Sequence, residues 1–264
     1  MLVQAKDIAE LRRHTRLVGF WGAVPRELLL DTADRLGAEL VDLDIYYGAP
    51  SSGLVPEAYC HIIRNCVDNA RALHSRLCSI VAATGKEKCD AGRYAAWLVH
   101  RSLGIEVIEA DNTALPTPSR PLLAEAFGPL KKRVVRIMRS IVRPLGDDEK
   151  AQATAVQCEP THGFWGTPPH PIELLDLFPP TTHLYGWTRC VEQGRPADLE
   201  LETAVPDDLP IIFFSQGFCQ KAQIARRLAE EKRGMHVDVH DAVNAAMQAK
   251  IEAFIRLSAP RGVK

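Results

Sequence analysis

"LVGFWGAVPRELLLDTADRLGAELVDLD", residues 17–44, reads as strand, turn, helix and strand. Leu17–Trp21 is a short apolar run closed by Gly22, and Pro25 stands where its fixed φ suits the start of a helix. Residues 26–36 carry apolar side chains at helical spacing and stop at Gly37, the residue type that closes helices in the left-handed conformation. "ELVDL", residues 39–43, is the next strand. The turn is written twice. "GFWG" stands at 19–22 and again at 163–166, and each copy leads through proline to a Glu-Leu-Leu helix start.

Outward from this unit the same alternation continues. "PEAYCHIIRNCVDNARALHS" is a helix, "LCSIVAA" a strand, "DAGRYAAWLVHRSLG" a helix and "IEVIEAD" a strand. A long helix, "RPLLAEAFGPLKKRVVRIMRSIVRP", is expected to close the first half. The second half repeats the scheme more briefly. "THGFW", "THLYGW", "LPIIFF" and "MHVDV" are strands, while "PIELLDLF", "CQKAQIARRLAEEKRG" and "DAVNAAMQAKIEAFIRL" are helices. Strands alternating with helices imply βαβ units. The expected fold is therefore α/β, with two Rossmann-like lobes, mainly parallel sheets and an internal duplication. The segment "RPLGDDEKAQATAVQCEP", from Arg143, is the boundary, which gives lobes at 1–148 and 149–264.

Composition narrows the function. Of 264 residues, 46% are hydrophobic and 25% charged, as in a globular chain with a sizeable core. The formal net charge of −1 gives no bulk attraction for nucleic acid or an anionic membrane. No apolar run reaches the roughly 18 residues of a membrane span. The N-terminal "MLVQAKDIAELRRHTR" reads as a polar amphipathic helix, not a signal peptide, so a cytoplasmic location is expected.

In parallel α/β sheets ligands sit beyond the carboxyl ends of the strands. Gly22 and Gly166 fall there, and Trp21 and Trp165 precede them. These four are the cofactor-binding candidates: glycine permits close approach, and the indoles serve either as core packing or as walls of an interlobe cleft. Neither G-x-G-x-x-G nor G-K-[ST] is present, so a phosphate-binding loop is not indicated.

Seven cysteines are an odd number in a chain too long for a disulfide scaffold, and none forms a C-x-x-C pair. Buried apolar thiols are one account. The other is thiolate ligands gathered from loops, because Cys89, Cys190 and Cys219 follow predicted strands and Cys60 lies near a helix start. Lys86 and Lys88, with the helix N-terminus, would favour the Cys89 thiolate. Cys60, Cys89, Cys190 and Cys219 are thus the metal candidates, for an iron–sulfur cluster or zinc. Cys78, inside "LCSIVAA", is the expected core thiol.

Residues 19–41, "AYCHIIRNCVDNARAL", "KCDAGRYAAWLV" and "AKIEAF" together resemble segments of the 2-hydroxyacyl-CoA dehydratase and benzoyl-CoA reductase family. The most specific part is Cys89-Asp90 with Arg93. The resemblance implies an oxygen-sensitive [4Fe–4S] cluster, an electron-donating activator protein and an acyl-CoA substrate, with Cys60 and Cys89 carried over as ligands. The family places a cysteine just after the first strand, where this chain has Trp21.

Other constellations are sparser. "HVDVH" sets His236, Asp238 and His240 on one strand face, as a metal site or as an outward polar edge. The catalytic candidates are His162, His183 and Arg189, the histidines as acid or base. The resulting expectation is an iron–sulfur redox enzyme or enzyme component of anaerobic metabolism, a dehydratase-like or reductase-like protein acting on an acyl-CoA-like or other small substrate. Its partners would be that substrate, an electron-donating protein, and a second chain in a homo- or hetero-dimer. The alternative is a non-redox small-molecule binding, cofactor-assembly or transferase protein with structural cysteines.

Overall fold

A computed structural model describes residues 1–85, 89–111, 115–240 and 243–258. The chain divides into two compact units, Met1–Thr113 and Ala114–Lys264.

The first unit contains α1 (Ile8–Leu11), β1 (Leu17–Trp21), α2 (Arg26–Leu36), β2 (Glu39–Asp42), α3 (His61–Ala72), β3 (Leu77–Ala83), α4 (Asp90–Leu103) and β4 (Val107–Ala110). Its strands form one parallel sheet in the order β2-β1-β3-β4. Every residue of β1 is buried, as expected for a strand covered on both faces. α3 and α4 lay Ile63, Cys66, Val67, Ala70, Ala95, Ala96 and Val99 against it.

The second unit contains α5 (Leu130–Arg139), α6 (Asp147–Ala155), β5 (His162–Trp165), a 3-10 segment (Ile172–Leu177), β6 (Thr182–Tyr185), α7 (Trp187–Glu192), α8 (Leu199–Thr203), β7 (Ile211–Gln216), α9 (Ala222–Glu231), β8 (Gly234–Val239) and α10 (Ala245–Ser258). Its parallel sheet has the order β6-β5-β7-β8. Alternate residues serve opposite faces. Phe164, Ile212 and Phe214 join the core under α5, whereas Trp165, Ile211 and Phe213 pack with Ala225 and Leu228 of α9. Each fully buried phenylalanine stabilises the fold by about 1.5–3 kcal/mol.

The two sheets share one strand order: second, first, third, fourth. That repetition accounts for the recurring GFWG, because each copy ends the first strand of its unit. The final glycine is required both times. Gly22 has φ 71° and Gly166 φ 149°, and a Cβ on Gly166 would lie 2.7 Å from the Phe214 carbonyl oxygen. The order reverses beside this first strand, so the exits of β1 and β3, and of β5 and β7, flank each unit's switch point.

Four expectations are corrected. The long helix across residues 120–144 is helical only over Leu130–Arg139, since Gly128 (φ 140°) and Pro129 interrupt it. Leu130, Val134 and Ile137 of that helix belong to the second unit's core, and the division falls at 113/114 and not at 148/149. The N-terminal segment is helical only at Ile8–Leu11, because Leu2 pairs alongside Leu40 and Val3 N–H bonds the Leu40 carbonyl at 2.8 Å. "PIELLDLF" forms a 3-10 segment in place of an α-helix. Among the described residues no helix is long and apolar enough to cross a membrane.

Candidate functional site at the carboxyl edges of the sheets

In the first unit the exit of β2 builds a buried acidic hub. Asp44 Oδ2 accepts the Gly22 N–H at 2.8 Å, and Oδ1 accepts the Cys66 thiol at 3.2 Å. The Asp44 N–H in turn donates to Asp42 Oδ1 at 3.0 Å. Helix α3 grips the same loop through Asn65, which donates to the Asp44 carbonyl, and Asn69, which donates to the Leu43 and Ile45 carbonyls. One carboxylate therefore ties the GFWG turn to α3. Burial, and then the charge of Asp44, hold the Asp42 pKa well above the usual carboxylate range. Burial followed by Asp44 raises the Cys66 thiol well above its ordinary value, and burial with both aspartates raises Tyr47. Cys66 is a protonated donor here and no thiolate.

Cys60 and Cys89 sit at the N-caps of α3 and α4, two helices packed side by side. Cys89 is exposed and Cys60 half-buried. The phenol of Tyr59 lies within electrostatic reach of both. Its pKa is raised by partial burial, then by Cys89, Cys60 and Tyr94. Trp21 is buried in the core that Tyr59 and Cys60 pack against, and its indole Nε1 has no hydrogen-bond partner among the described residues. Lys86 and Lys88 lie outside the described residues.

The second unit's carboxyl edge is closed by its own side chains. Trp165 is fully buried and donates through Nε1 to the Glu202 carbonyl at 2.6 Å. The Gly166 carbonyl accepts from Thr188 Oγ1 at 2.9 Å, and the Gln216 amide bonds both the N–H and the carbonyl of His170. Neither indole is an open wall; both are core residues. Cys190 is fully buried, and burial followed by Glu202 pushes its pKa up to about 12, so it has the properties of a core thiol. Cys219 is half-buried just before α9, in a different unit from Cys60 and Cys89. Cys78 is half-buried, not fully buried, and lies near the amino end of β3.

The predicted catalytic side chains do not form one group. His162 opens β5, on the edge opposite the strand exits, and bonds Thr161 Oγ1 at 3.1 Å and the Ile255 carbonyl at 3.0 Å. His183 bonds the Cys158 carbonyl at 2.9 Å. Burial, the largest cause in each case, lowers the pKa of both. Arg189 lies past the exit of β6, paired with Glu125 at 2.9 Å and stacked 5.2 Å over the Tyr185 ring. In "HVDVH", Ser215 holds the first two members: its Oγ lies 3.0 Å from His236 Nε2 and donates to Asp238 at 2.8 Å. His240 packs edge-on against Phe218. Among the described residues no three His, Cys, Asp or Glu side chains converge as a metal site.

The hub of Asp42, Asp44 and Cys66 escaped the sequence reading. Its signal was the "VDLD" spacing, two carboxylates two residues apart at a strand exit. Also missed were Arg133, whose guanidinium bonds the carbonyls of Leu123, Ala124, Gly128 and Thr182, and Glu192, which accepts the N–H groups of Leu122, Leu123 and Ala124. Together they strap residues 122–124 along β6.

No family model matches the chain, and no curated protein matches it.

Proposed function

We propose that the chain is an iron–sulfur redox enzyme, or a component of one, with its reactive centre at the carboxyl edge of the first sheet. The observation that carries this reading is the placement of Cys60 and Cys89 at the N-caps of two adjacent helices around Tyr59. A helix N-terminus directs backbone N–H groups and the positive end of its dipole toward such a position. Trp21 Nε1, a buried donor with no partner among the described residues, belongs to the core that Cys60 packs against.

The fit to a [4Fe–4S] cluster is partial. Four cysteine ligands are usual; Cys60 and Cys89 supply two, and Cys66 is committed to Asp44. Zinc, with its four ligands, meets the same shortfall. A cluster held here would take its remaining ligands from outside this pair and would supply one-electron chemistry. The chain's own residues do the rest. Asp44 fixes the GFWG turn, and Tyr59 keeps its proton beside the thiols. The acyl-CoA-like substrate and the electron-donating partner rest on the family resemblance of the Cys89-Asp90-Arg93 segment.

Anaerobic isolation, followed by iron and acid-labile sulfide analysis and electron paramagnetic resonance, tests the reading. Iron and sulfide that fall in Cys60→Ser and Cys89→Ser support it; a colourless, iron-free chain after anaerobic reconstitution rejects it. One observation favours a second reading, a non-redox small-molecule binding, cofactor-assembly or transferase protein: no third ligating side chain joins the pair among the described residues.

A further inference from the structure

The outer face of α4 is not explained by the site. The helix buries Gly92, Ala95, Ala96, Val99 and Leu103, an inward stripe at helical spacing. Its opposite face exposes Tyr94 at 64% and Trp97 at 63%. Asp90 and Arg101 are exposed on the same side. At about 100° per residue, positions 90, 94, 97 and 101 fall within about 60° of one another around the helix axis. They form one straight stripe: acid, aromatic, aromatic, base. No ion pair or hydrogen bond engages Asp90 or Arg101 among the described residues.

An exposed aromatic pair is unusual on a solvated helix, whereas tyrosine, tryptophan and arginine are enriched in protein interfaces. The helix dipole accounts for an acid in the first turn and a base in the last. It does not account for the two rings between them. The stripe is also self-complementary. If a second α4 lies antiparallel across it, with the two-fold axis midway between positions 94 and 97, then Tyr94 meets Trp97 of the second copy. Asp90 then meets the second copy's Arg101. Each contact occurs twice, as a closed two-fold interface requires.

We infer that this face of α4 is a homodimer interface, in which two copies of the chain pair antiparallel through Tyr94 and Trp97, flanked by Asp90–Arg101 ion pairs. The inference does not rest on the cysteine chemistry proposed above, although Asp90 adjoins Cys89 and Tyr94 lies within electrostatic reach of Tyr59. A two-helix contact lies at the small end of specific interfaces, so a weak, concentration-dependent dimer is expected.

Sedimentation velocity of the full chain over a concentration series tests it. The wild type dimerises, and Trp97→Ala weakens the dimer by about thirtyfold or more, as loss of an aromatic anchor does. Asp90→Arg and Arg101→Asp each turn two attractions into two repulsions and weaken it about tenfold. The decisive variant carries both reversals, because exchanging the charges restores complementarity and with it wild-type dissociation. Circular dichroism keeps folding separate from assembly, since all three positions are exposed. A chain that stays monomeric at about 100 μM overturns the inference. So does a dimer indifferent to the charge reversals, which would use another face.

Discussion

Truncation of Glu192 to alanine should loosen one defined strap and little else. The carboxylate accepts the Leu122 and Leu123 N–H groups on Oε1, at 3.1 and 2.5 Å, and the Ala124 N–H on Oε2 at 2.8 Å. Ala124 is fully buried, and its carbonyl accepts the Leu184 N–H of β6 at 2.9 Å. Each buried donor left without an acceptor costs about 1–3 kcal/mol. Part of that is offset, because burial raises the Glu192 pKa and its removal recovers this penalty. The net expectation is a loss of about 3–5 kcal/mol for Glu192→Ala. Glu192→Gln keeps one oxygen in place and turns an NH2 group toward a donor, for a loss of about 1–2 kcal/mol. Urea unfolding followed by tryptophan fluorescence gives the stabilities. Hydrogen exchange should show the Leu184 amide opening faster in both variants while the first unit is unchanged. A Glu192→Ala protein within about 0.5 kcal/mol of wild type would refute the reasoning.

Gly166→Ala forces a side chain into φ 149° and against the Phe214 carbonyl, and should lose about 2–3 kcal/mol by chemical denaturation; an unchanged midpoint would show that the turn relaxes freely. Asp42 has a raised folded pKa, so its contribution to stability is present below the ordinary aspartate value of about 3.9 and is lost as pH rises through the folded value. Asp42→Asn should remove that part of the decline, and an identical stability–pH curve would contradict it. His183 runs the other way: its folded pKa is lowered, and its contribution is lost as pH falls from about 6.5 toward the folded value. Timed alkylation read by mass spectrometry should modify exposed Cys89 first and the buried Cys66 and Cys190 last; early labelling of Cys190 would contradict its placement.

The fold was legible because its signals are local. Apolar runs, glycine stops and proline starts mark the strands and helices of both units, and the repeated GFWG marks the first strand of each sheet. Sequence position also identified which edge of a sheet a residue occupies. It did not say which way the side chain points. Cys190 follows a strand exit as expected, but α7 begins directly after Gly186 and carries that thiol inward. Trp21 and Trp165 end buried strands, and the cores take both rings. The break at Gly128-Pro129 was written in the sequence, yet the basic helical spacing beyond it suggested one continuous helix. The Asp44 hub depends on three segments meeting, β1, β2 and α3; the VDLD spacing marks its two carboxylates, not the meeting with Gly22 and Cys66.

Iron and acid-labile sulfide per chain, measured after anaerobic reconstitution of wild type, Cys60→Ser, Cys89→Ser and Cys78→Ser, test the central claim most directly. The predicted result is iron and sulfide bound by wild type and by Cys78→Ser, and a clear loss in both Cys60→Ser and Cys89→Ser. An iron-free wild type, or equal iron in all four chains, would contradict a cluster at the paired helix N-caps.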